Sequence, residues 1–154
     1  MRADFAPRPR AAIGVGDSAT FTKTISDSDV VQFADASGDH NPLHLDEAYA
    51  RGTRFRRRIA HGILSAGLIS AALAHELPGL GTIFVELHIR FLKPVFIGDT
   101  VTARLTVAEI LSPRRVRLAA VCVNQSGMEV AAGYALVVPP EQTQVDFAYA
   151  DWSV

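Results

Sequence analysis

The chain has 154 residues and a formal net charge of -1, with 49% hydrophobic and 20% charged residues. This balance indicates one globular domain, excludes a disordered chain, and gives no general attraction to nucleic acid or anionic membrane. A single cysteine, Cys122, excludes an internal disulfide, and no run reaches the about 18 apolar residues of a membrane helix. The N-terminus lacks the apolar core of a signal peptide, so we expect a cytoplasmic protein.

A strand and two helices are predicted early in the chain. Residues 1–16 form an arm that is rich in arginine and alanine. Polar and apolar residues alternate over 18–25, which is typical of a strand. A helix is predicted over 26–38, with Ser and Asp residues at its start and a glycine at its end. A second, short helix is predicted over 46–52, and the segment between the helices is expected to be a loop, where functional groups often lie.

The rest of the chain changes from a helical to an alternating pattern. Residues 61–79 are apolar on nearly all sides, which predicts a buried helix that Pro78 and Gly79 end. Four strands separated by short turns are predicted after it, over 81–96, 99–111, 114–125 and 128–139. Short turns make neighbouring strands antiparallel, and such a sheet covers a buried helix by wrapping around it. The sequence therefore predicts an α+β domain over 17–140 and a C-terminal extension over 141–154.

The segment between the first two predicted helices concentrates titratable groups. In "SGDHNPLHLD", Asp39 and His44 lie five residues apart, with Asn41 and Pro42 between them. Pro42 favours a turn, which can bring the two side chains together. A carboxylate beside an imidazole forms an acid/base pair, because one group removes a proton and the other supplies one. The alternative is structural, with Asp39 capping the following turn and His44 hydrogen-bonded within the fold.

A second candidate site lies where the buried helix begins, in "RIAHGIL". Free backbone N–H groups at a helix start attract negative charge, and Gly62 lets a substrate approach them closely. This arrangement suits a negative oxygen that develops on a substrate carbonyl. The alternative is that Gly62 only permits close packing of the helix on the sheet. Ser65 follows His61 by four residues, so both fall on one face of the helix.

Three segments together resemble one protein family. "FADASGDHNPLHLD", "RIAHGILSAGL" and "FLKPVFIGDTV" are similar to the MaoC-like, (R)-specific enoyl-CoA hydratases. The resemblance covers residues 17–138 and implies the hot-dog fold, an antiparallel sheet wrapped around a central helix. It also implies the addition of water to a trans-2-enoyl-CoA to give the (R)-3-hydroxyacyl-CoA, and the reverse dehydration, without a metal or an organic cofactor.

The resemblance also implies roles for individual residues. It makes Asp39 and His44 catalytic, and the backbone N–H of Gly62 polarises the thioester carbonyl. The residues expected to bind substrate are His61, Ser65, Asn41 and Lys93. Some family members place a helix serine near the catalytic water, whereas this chain has Gly67 at that position, so Ser65 is the candidate to replace it.

The expected partners are an acyl-CoA substrate and a second copy of the chain, with no nucleic acid and no membrane. Hot-dog proteins usually pair as dimers that lay two sheets side by side. The strand pattern also favours a dimer, because four residues cannot all face the core together with their neighbours along the strands, so the outer face of the sheet is not fully polar. They are Val121, Val123, Tyr134 and Leu136. An exposed sheet edge or apolar face invites pairing with a second copy.

Other conspicuous residues have simpler interpretations. Cys122 lies in the apolar run "LAAVCV", which predicts a small buried side chain rather than a nucleophile. The histidines at 40, 44 and 61 lack the spacing of a strong metal site. The basic run at residues 51–58 is expected to be a solvated face, or to attract the phosphates of acyl-CoA, and Lys93 is a comparable candidate.

Two other functions remain as alternatives. A hot-dog acyl-CoA thioesterase would share the fold and the substrate class, but it does not explain the joint Asp39 and His44 motif. A non-catalytic acyl-CoA-binding subunit would not need that pair. A nucleic-acid-binding module is poorly supported, because the basic run lacks interleaved stacking aromatics and the chain is nearly neutral.

Overall fold

The computed structural model describes residues 8–141, and this range contains five strands and four α-helices. The strands are β1 (Ser18–Thr24), β2 (Ile83–Phe91), β3 (Thr100–Ser112), β4 (Arg115–Val123) and β5 (Glu129–Val138). The helices are α1 (Asp27–Ser37), α2 (Pro42–Leu45), α3 (Glu47–Arg51) and α4 (Gly62–His75). None of these helices has the length and apolar character that a membrane crossing requires.

The strands form one antiparallel sheet in the order β1-β3-β4-β5-β2. Strands β3, β4 and β5 pair with their sequence neighbours through short turns, while β1 and β2 take the two edges. Helix α4 packs against the sheet and contacts β1, β2, β3 and β4. The predicted α+β arrangement, with a sheet around one buried helix, is confirmed.

The core follows from the alternation along the strands. Every second residue of β4 from Val116 to Cys122 is buried, and the residues between them are half-buried. Ile69 and Leu73 of α4 belong to the same buried cluster. The prediction of a small, buried Cys122 is confirmed, and burial raises the pKa of its thiol to about 11.

The outer face of the sheet is more polar than the sequence suggested. Leu136 is only 8% exposed, and Val121 is half-buried. The guanidinium of Arg117 lies over the ring of Tyr134, whose hydroxyl donates to the Glu86 carboxylate at 2.9 Å. Polar side chains therefore cover this part of the sheet, whereas β2 carries the exposed apolar residues Ile83, Phe84, Val85 and Phe91.

Helix α2 occupies the segment that was predicted as a loop, and that prediction was wrong. Asn41 caps the helix, since its side-chain oxygen accepts from the N–H of Leu43 at 3.0 Å, and Pro42 takes the first helical position. Asp39 is therefore not the cap of this turn. Four residues are too few to show a hydrophobic period, so the pattern could not indicate this helix.

Helix α4 begins where it was predicted but ends at His75, four residues earlier than expected. The N–H of Gly79 donates to the carbonyl of Leu73 at 2.9 Å, and Gly79 has a φ of 94°. A glycine in the left-handed conformation whose N–H donates to the carbonyl six residues earlier closes the end of a helix. The helix itself therefore ends several residues before that glycine.

Part of the predicted N-terminal arm packs on the domain. The N–H of Arg8 donates to the carbonyl of Pro78 at 2.7 Å, and Ile13 belongs to the buried core. Residues 1–7 of the arm and 142–154 of the extension lie outside the described residues. The proposed domain boundaries stay a prediction.

Candidate active site

Three elements bring Asp39, His44 and His61 together. Gly38 ends α1 in the left-handed conformation, with a φ of 78°, and turns the chain into Asp39. His44 lies on α2, and His61 is the N-cap of α4. One side-chain oxygen or nitrogen of each residue lies within 4.8 Å of those of the other two. The structure thus places Asp39 and His44 side by side.

The backbone holds the ring of His44, which is 8% exposed. Its Nδ1 lies 2.8 Å from the carbonyl oxygen of Ile59. Because a carbonyl only accepts, Nδ1 carries a hydrogen, and neutral His44 keeps its lone pair on Nε2. Arg58 donates from Nε to the His44 carbonyl at 2.6 Å and from Nη2 to Asp27 at 2.7 Å, which ties α2 to α1. Nε2 is therefore the His44 atom left to exchange a proton.

His61 supports the pair from beside the cavity. It is 2% exposed, and its Nε2 donates to the carbonyl of Asp39 at 2.9 Å. The centroid of its ring lies 3.9 Å from that of His44 and 4.7 Å from that of Phe33. Its Nδ1 is buried without a hydrogen-bond partner in the described part of the chain. His61 thus positions the Asp39 backbone and the His44 ring.

One nitrogen of each histidine already contacts a backbone carbonyl: Nδ1 of His44 that of Ile59, and Nε2 of His61 that of Asp39. The two rings are tilted by 31° to one another. One carboxylate and two imidazoles with ligand atoms within 4.8 Å of one another form a set that can bind a metal ion, and the same closeness lets Asp39 and His44 exchange a proton.

The carboxylate of Asp39 is exposed and only lightly bound. Its Oδ1 accepts from the N–H of Asn41 at 3.3 Å, and the Asp39 N–H donates to Ser37 Oγ at 3.2 Å. Both distances are at or beyond the long end for N–H···O hydrogen bonds. The carboxylate therefore keeps acceptor capacity for a water proton.

A cavity of about 240 Å³ opens beside His44 at the start of α4. His44 and Ser65 are buried in its floor, whereas Arg54 and Lys93 are exposed at its rim. Much of the remaining lining is apolar, including Ile59, Phe91, Val95 and Val130. Of the predicted site residues, His44, Gly62, Ser65 and Lys93 line this cavity, while Asp39, Asn41 and His61 lie outside its lining.

Gly62 is the first residue of α4, so its N–H has no acceptor within the helix. It lines the cavity next to Phe91. A Cβ at this position would lie 3.2 Å from the Phe91 ring, so the glycine leaves room beside the free N–H. A helix start with an open approach can hold a negative oxygen.

Ser65 reaches the same cavity from the next turn of α4. It is 5% exposed, and its backbone carbonyl accepts from the thiol of Cys122 at 3.6 Å. Gly67 is exposed and lies outside the cavity lining, and a Cβ built on it would meet nothing within 4 Å. Of the two serines of α4, Ser65 lines the cavity and Ser70 does not, so Ser65 stays the candidate for the third contact to the water.

Sequence reasoning missed several residues that hold this site. Ile59 and Arg58 bind His44 from 15 and 14 residues away, and Phe91 reaches Gly62 from another element. No local pattern marks such contacts, because only the fold brings these positions together.

Known proteins resemble this chain over most of its length. Residues 11–128 match the family model described as MaoC like domain. The chain is 46% identical over 125 residues to an (R)-specific enoyl-CoA hydratase of Rhodospirillum rubrum, covering 81% of this chain and 87% of that protein. It is 46% identical over 133 residues to a 3-hydroxybutyryl-CoA dehydratase of Methylorubrum extorquens, covering 86% of this chain and 84% of that protein.

A solved structure agrees with these relatives. The unliganded R-hydratase PhaJ1 of Pseudomonas aeruginosa matches with a TM-score of 0.86 at 46% identity, covering 90% of this chain and 89% of that chain. The resemblance carried by the three sequence segments is confirmed, and so is the hot-dog arrangement of sheet and helix. The chain belongs to the MaoC-like domain family.

Proposed function

We propose that this protein adds water to a trans-2-enoyl-CoA to give the (R)-3-hydroxyacyl-CoA, and that it catalyses the reverse dehydration. The observation that carries this proposal is the pairing of the Asp39 and His44 side chains near the cavity that Gly62 lines. The relatives named as a hydratase and a dehydratase support the reaction class. The name of the hydratase supports the (R) configuration.

Asp39 is the general base in the proposed hydration. A water held between Asp39 and His44 attacks the β-carbon, which conjugation with the thioester makes electrophilic. One O–H bond of the water breaks, its proton passes to Asp39, and a bond forms between oxygen and the β-carbon. The electron pair of the carbon–carbon double bond moves toward the thioester oxygen, which gives an enolate.

His44 completes the addition from Nε2, the nitrogen that the contact with Ile59 leaves free. In its protonated form it gives this proton to the α-carbon as the enolate collapses. Asp39 then returns its proton to His44, so the net change is the addition of one water molecule.

Gly62 and Ser65 supply the supporting polar contacts. The N–H of Gly62 stabilises the enolate oxygen, and losing such a contact typically costs on the order of a hundredfold in rate. Ser65 provides the third contact for the water, from the floor of the cavity. Asn41 and His61 position Asp39 through its side chain and its backbone carbonyl, respectively.

We also propose a homodimer that forms along β2. This strand is a sheet edge, and it carries the exposed apolar residues Ile83, Phe84 and Val85. The opposite edge, β1, presents threonine and lysine side chains instead. An apolar edge favours pairing with a second copy, whereas a polar edge does not. Phe91, at the end of β2, lines the cavity, so the partner would complete the acyl-CoA groove there.

Incubation with crotonyl-CoA tests the proposed function. We expect loss of the double bond without release of a thiol, and chiral analysis should give (R)-3-hydroxybutyryl-CoA. Release of free CoA would instead identify a thioesterase, and tight binding without turnover would identify a non-catalytic subunit. Enoyl-CoAs of increasing length would then give the chain-length preference.

A further inference from the structure

Two cations, Arg54 and Lys93, lie at the rim of the cavity. Arg54 and Lys93 both line the cavity that contains His44, and both are exposed. Within residues 8–141, no carboxylate forms a salt bridge with either of them. Uncompensated positive charge at the mouth of a cavity attracts an anionic ligand.

Two other arginines of the same basic run already have carboxylate partners. Arg51 Nε lies 3.5 Å from a Glu47 carboxylate oxygen, and Arg58 Nη2 lies 2.7 Å from a carboxylate oxygen of Asp27. Neither arginine lines the cavity. These pairs fit the expectation of a solvated face, and Arg54 differs from the other described arginines of the run in that it lines the cavity.

The guanidinium of Arg54 is held at the rim by an aromatic ring. Its central carbon lies 4.8 Å from the centroid of Phe55, which also lines the cavity. Stacking on a ring uses the flat face of the guanidinium and leaves the N–H groups at its edge available. Those N–H groups form a planar fork that matches the oxygens of a phosphate, and the ammonium of Lys93 adds a point charge.

These cations lie where the charged end of the proposed substrate would leave the cavity. An acyl-CoA carries its thioester at one end of an uncharged pantetheine arm and its phosphates at the other. The proposed function places the thioester beside His44 and Gly62, in the inner part of the cavity. The arm must then leave past the exposed rim, where Arg54 and Lys93 lie.

We propose that Arg54 and Lys93 bind the phosphates at the far end of the pantetheine arm, so that this site selects thioesters of phosphorylated carriers. The inference rests on the proposed hydratase function and adds the groups that recognise the carrier. The recognised chemistry is phosphate. One phosphate, on the pantetheine itself, is common to CoA and to acyl carrier proteins, whereas the remainder of the nucleotide belongs to CoA alone.

Crotonyl esters of pantetheine, phosphopantetheine and CoA separate these contributions. We expect the wild-type kcat/KM to rise along this series. Arg54→Ala and Lys93→Ala should each reduce the advantage of the CoA ester over the pantetheine ester roughly tenfold, as for the loss of a charge-assisted hydrogen bond. The change should appear in KM, because this contact is made equally in the ground state and the transition state. If the phosphopantetheine ester already has the full advantage, the contact is to the shared phosphate; if only the CoA ester has it, the contact is to the nucleotide.

Arg51→Ala is the matched control. It removes the same charge from the same run, but from a residue that is paired with Glu47 outside the cavity. In this variant, the ratio of kcat/KM for the CoA ester to kcat/KM for the pantetheine ester should stay within about twofold of the wild-type ratio, as expected for an exposed pair. The phosphate site would be overturned if Arg54→Ala and Lys93→Ala both left this ratio unchanged, which includes the case in which they lower kcat/KM equally for the CoA and pantetheine esters.

Binding of free CoA tests the site apart from the reaction. Calorimetry should show that Kd for CoA weakens roughly tenfold in Arg54→Ala and in Lys93→Ala, and that wild-type binding weakens in high salt. If the wild type hydrates no enoyl ester, but both variants still bind CoA about tenfold more weakly than the wild type does, the proposed function fails and the phosphate site stands. Unchanged Kd values in both variants would refute the site whatever the activity.

Discussion

The proton chemistry proposed for His44 depends on one backbone contact, the hydrogen bond from Nδ1 to the Ile59 carbonyl. That contact leaves Nε2 free, and one ring nitrogen of His44 lies within 4.8 Å of a carboxylate oxygen of Asp39. We expect His44→Ala and Asp39→Asn each to lower kcat for crotonyl-CoA hydration by about a thousandfold, within the usual range for acid/base groups. Circular dichroism should show that both variants are folded.

The control for Asp39→Asn is Asp35→Asn. Asp35 is exposed on α1, outside the cavity lining, and its Oδ1 lies 3.3 Å from Nε2 of His40. This variant should keep the wild-type kcat, because it removes a carboxylate from the same region without touching the proposed pair. Near-normal turnover in either His44→Ala or Asp39→Asn would remove that residue from the mechanism.

Two glycines of α4 give a matched test of the free N–H at position 62. A methyl group on Gly62 would lie 3.2 Å from the Phe91 ring, whereas one on Gly67 would meet nothing within 4 Å. Gly62→Ala should therefore crowd the thioester site and lower kcat/KM by about tenfold or more. Gly67→Ala should keep full activity and raise the free energy of unfolding by about 0.5–1 kcal/mol. Equal activity of the two variants would contradict a thioester site at Gly62.

Cys122 should be unreactive in the folded protein. Burial raises the pKa of its thiol to about 11, so the thiol stays protonated at pH 8, and only the thiolate reacts with alkylating reagents. We expect iodoacetamide to label the denatured chain but not the native one, as measured by mass spectrometry. Because the folded pKa is raised, the contribution of Cys122 to stability is complete below pH 9 and declines as the pH rises toward 11. Rapid labelling of the native protein at pH 8 would contradict this burial.

At the scale of elements, the pairing of β2 with β5 depends on a glycine. Gly133 lies opposite Ile89, and a Cβ on Gly133 would overlap the backbone carbonyl of His88. We expect Gly133→Ala to separate the strands and lower the free energy of unfolding by about 2 kcal/mol, a typical cost of overpacking. Urea denaturation measures this effect. Gly67→Ala should instead raise the free energy of unfolding. A Gly133→Ala variant as stable as the wild type would contradict the close packing of β2 on β5 at this position.

At the scale of the whole molecule, the two edges of the described sheet differ: β2 exposes the apolar residues Ile83, Phe84 and Val85, whereas β1 exposes threonine and lysine side chains, and this difference predicts how the protein assembles. We expect light scattering to give twice the 16.6 kDa of one chain. Val85→Lys places a charge on the β2 edge, so it should shift the protein toward monomers and lower its activity. Thr20→Lys makes the same kind of change on β1 and should leave the dimer intact. A fully active wild-type monomer at assay concentration would refute the dimer.

The sequence by itself determined the features that depend on neighbouring residues. The alternating strands, the apolar helix after Gly62 and the short turns were predicted because the period of side chains along a chain reflects local backbone geometry. These elements were sufficient to predict an antiparallel sheet around one helix. The motif that contains Asp39 and His44 also stood out, because titratable groups are unusual in so short a segment of an apolar chain.

Only the tertiary structure decided which groups face one another. The four-residue helix that presents His44 has no detectable period, and the end of α4 depends on the backward hydrogen bond of Gly79. The carbonyl of Ile59 and the ring of Phe91 reach the site from distant positions. The free edge at β2 follows from strand order, which pairs β1 with β3 and leaves β2 outermost. Such long-range contacts come from the packing of the sheet on α4, and no local pattern of residues carries them.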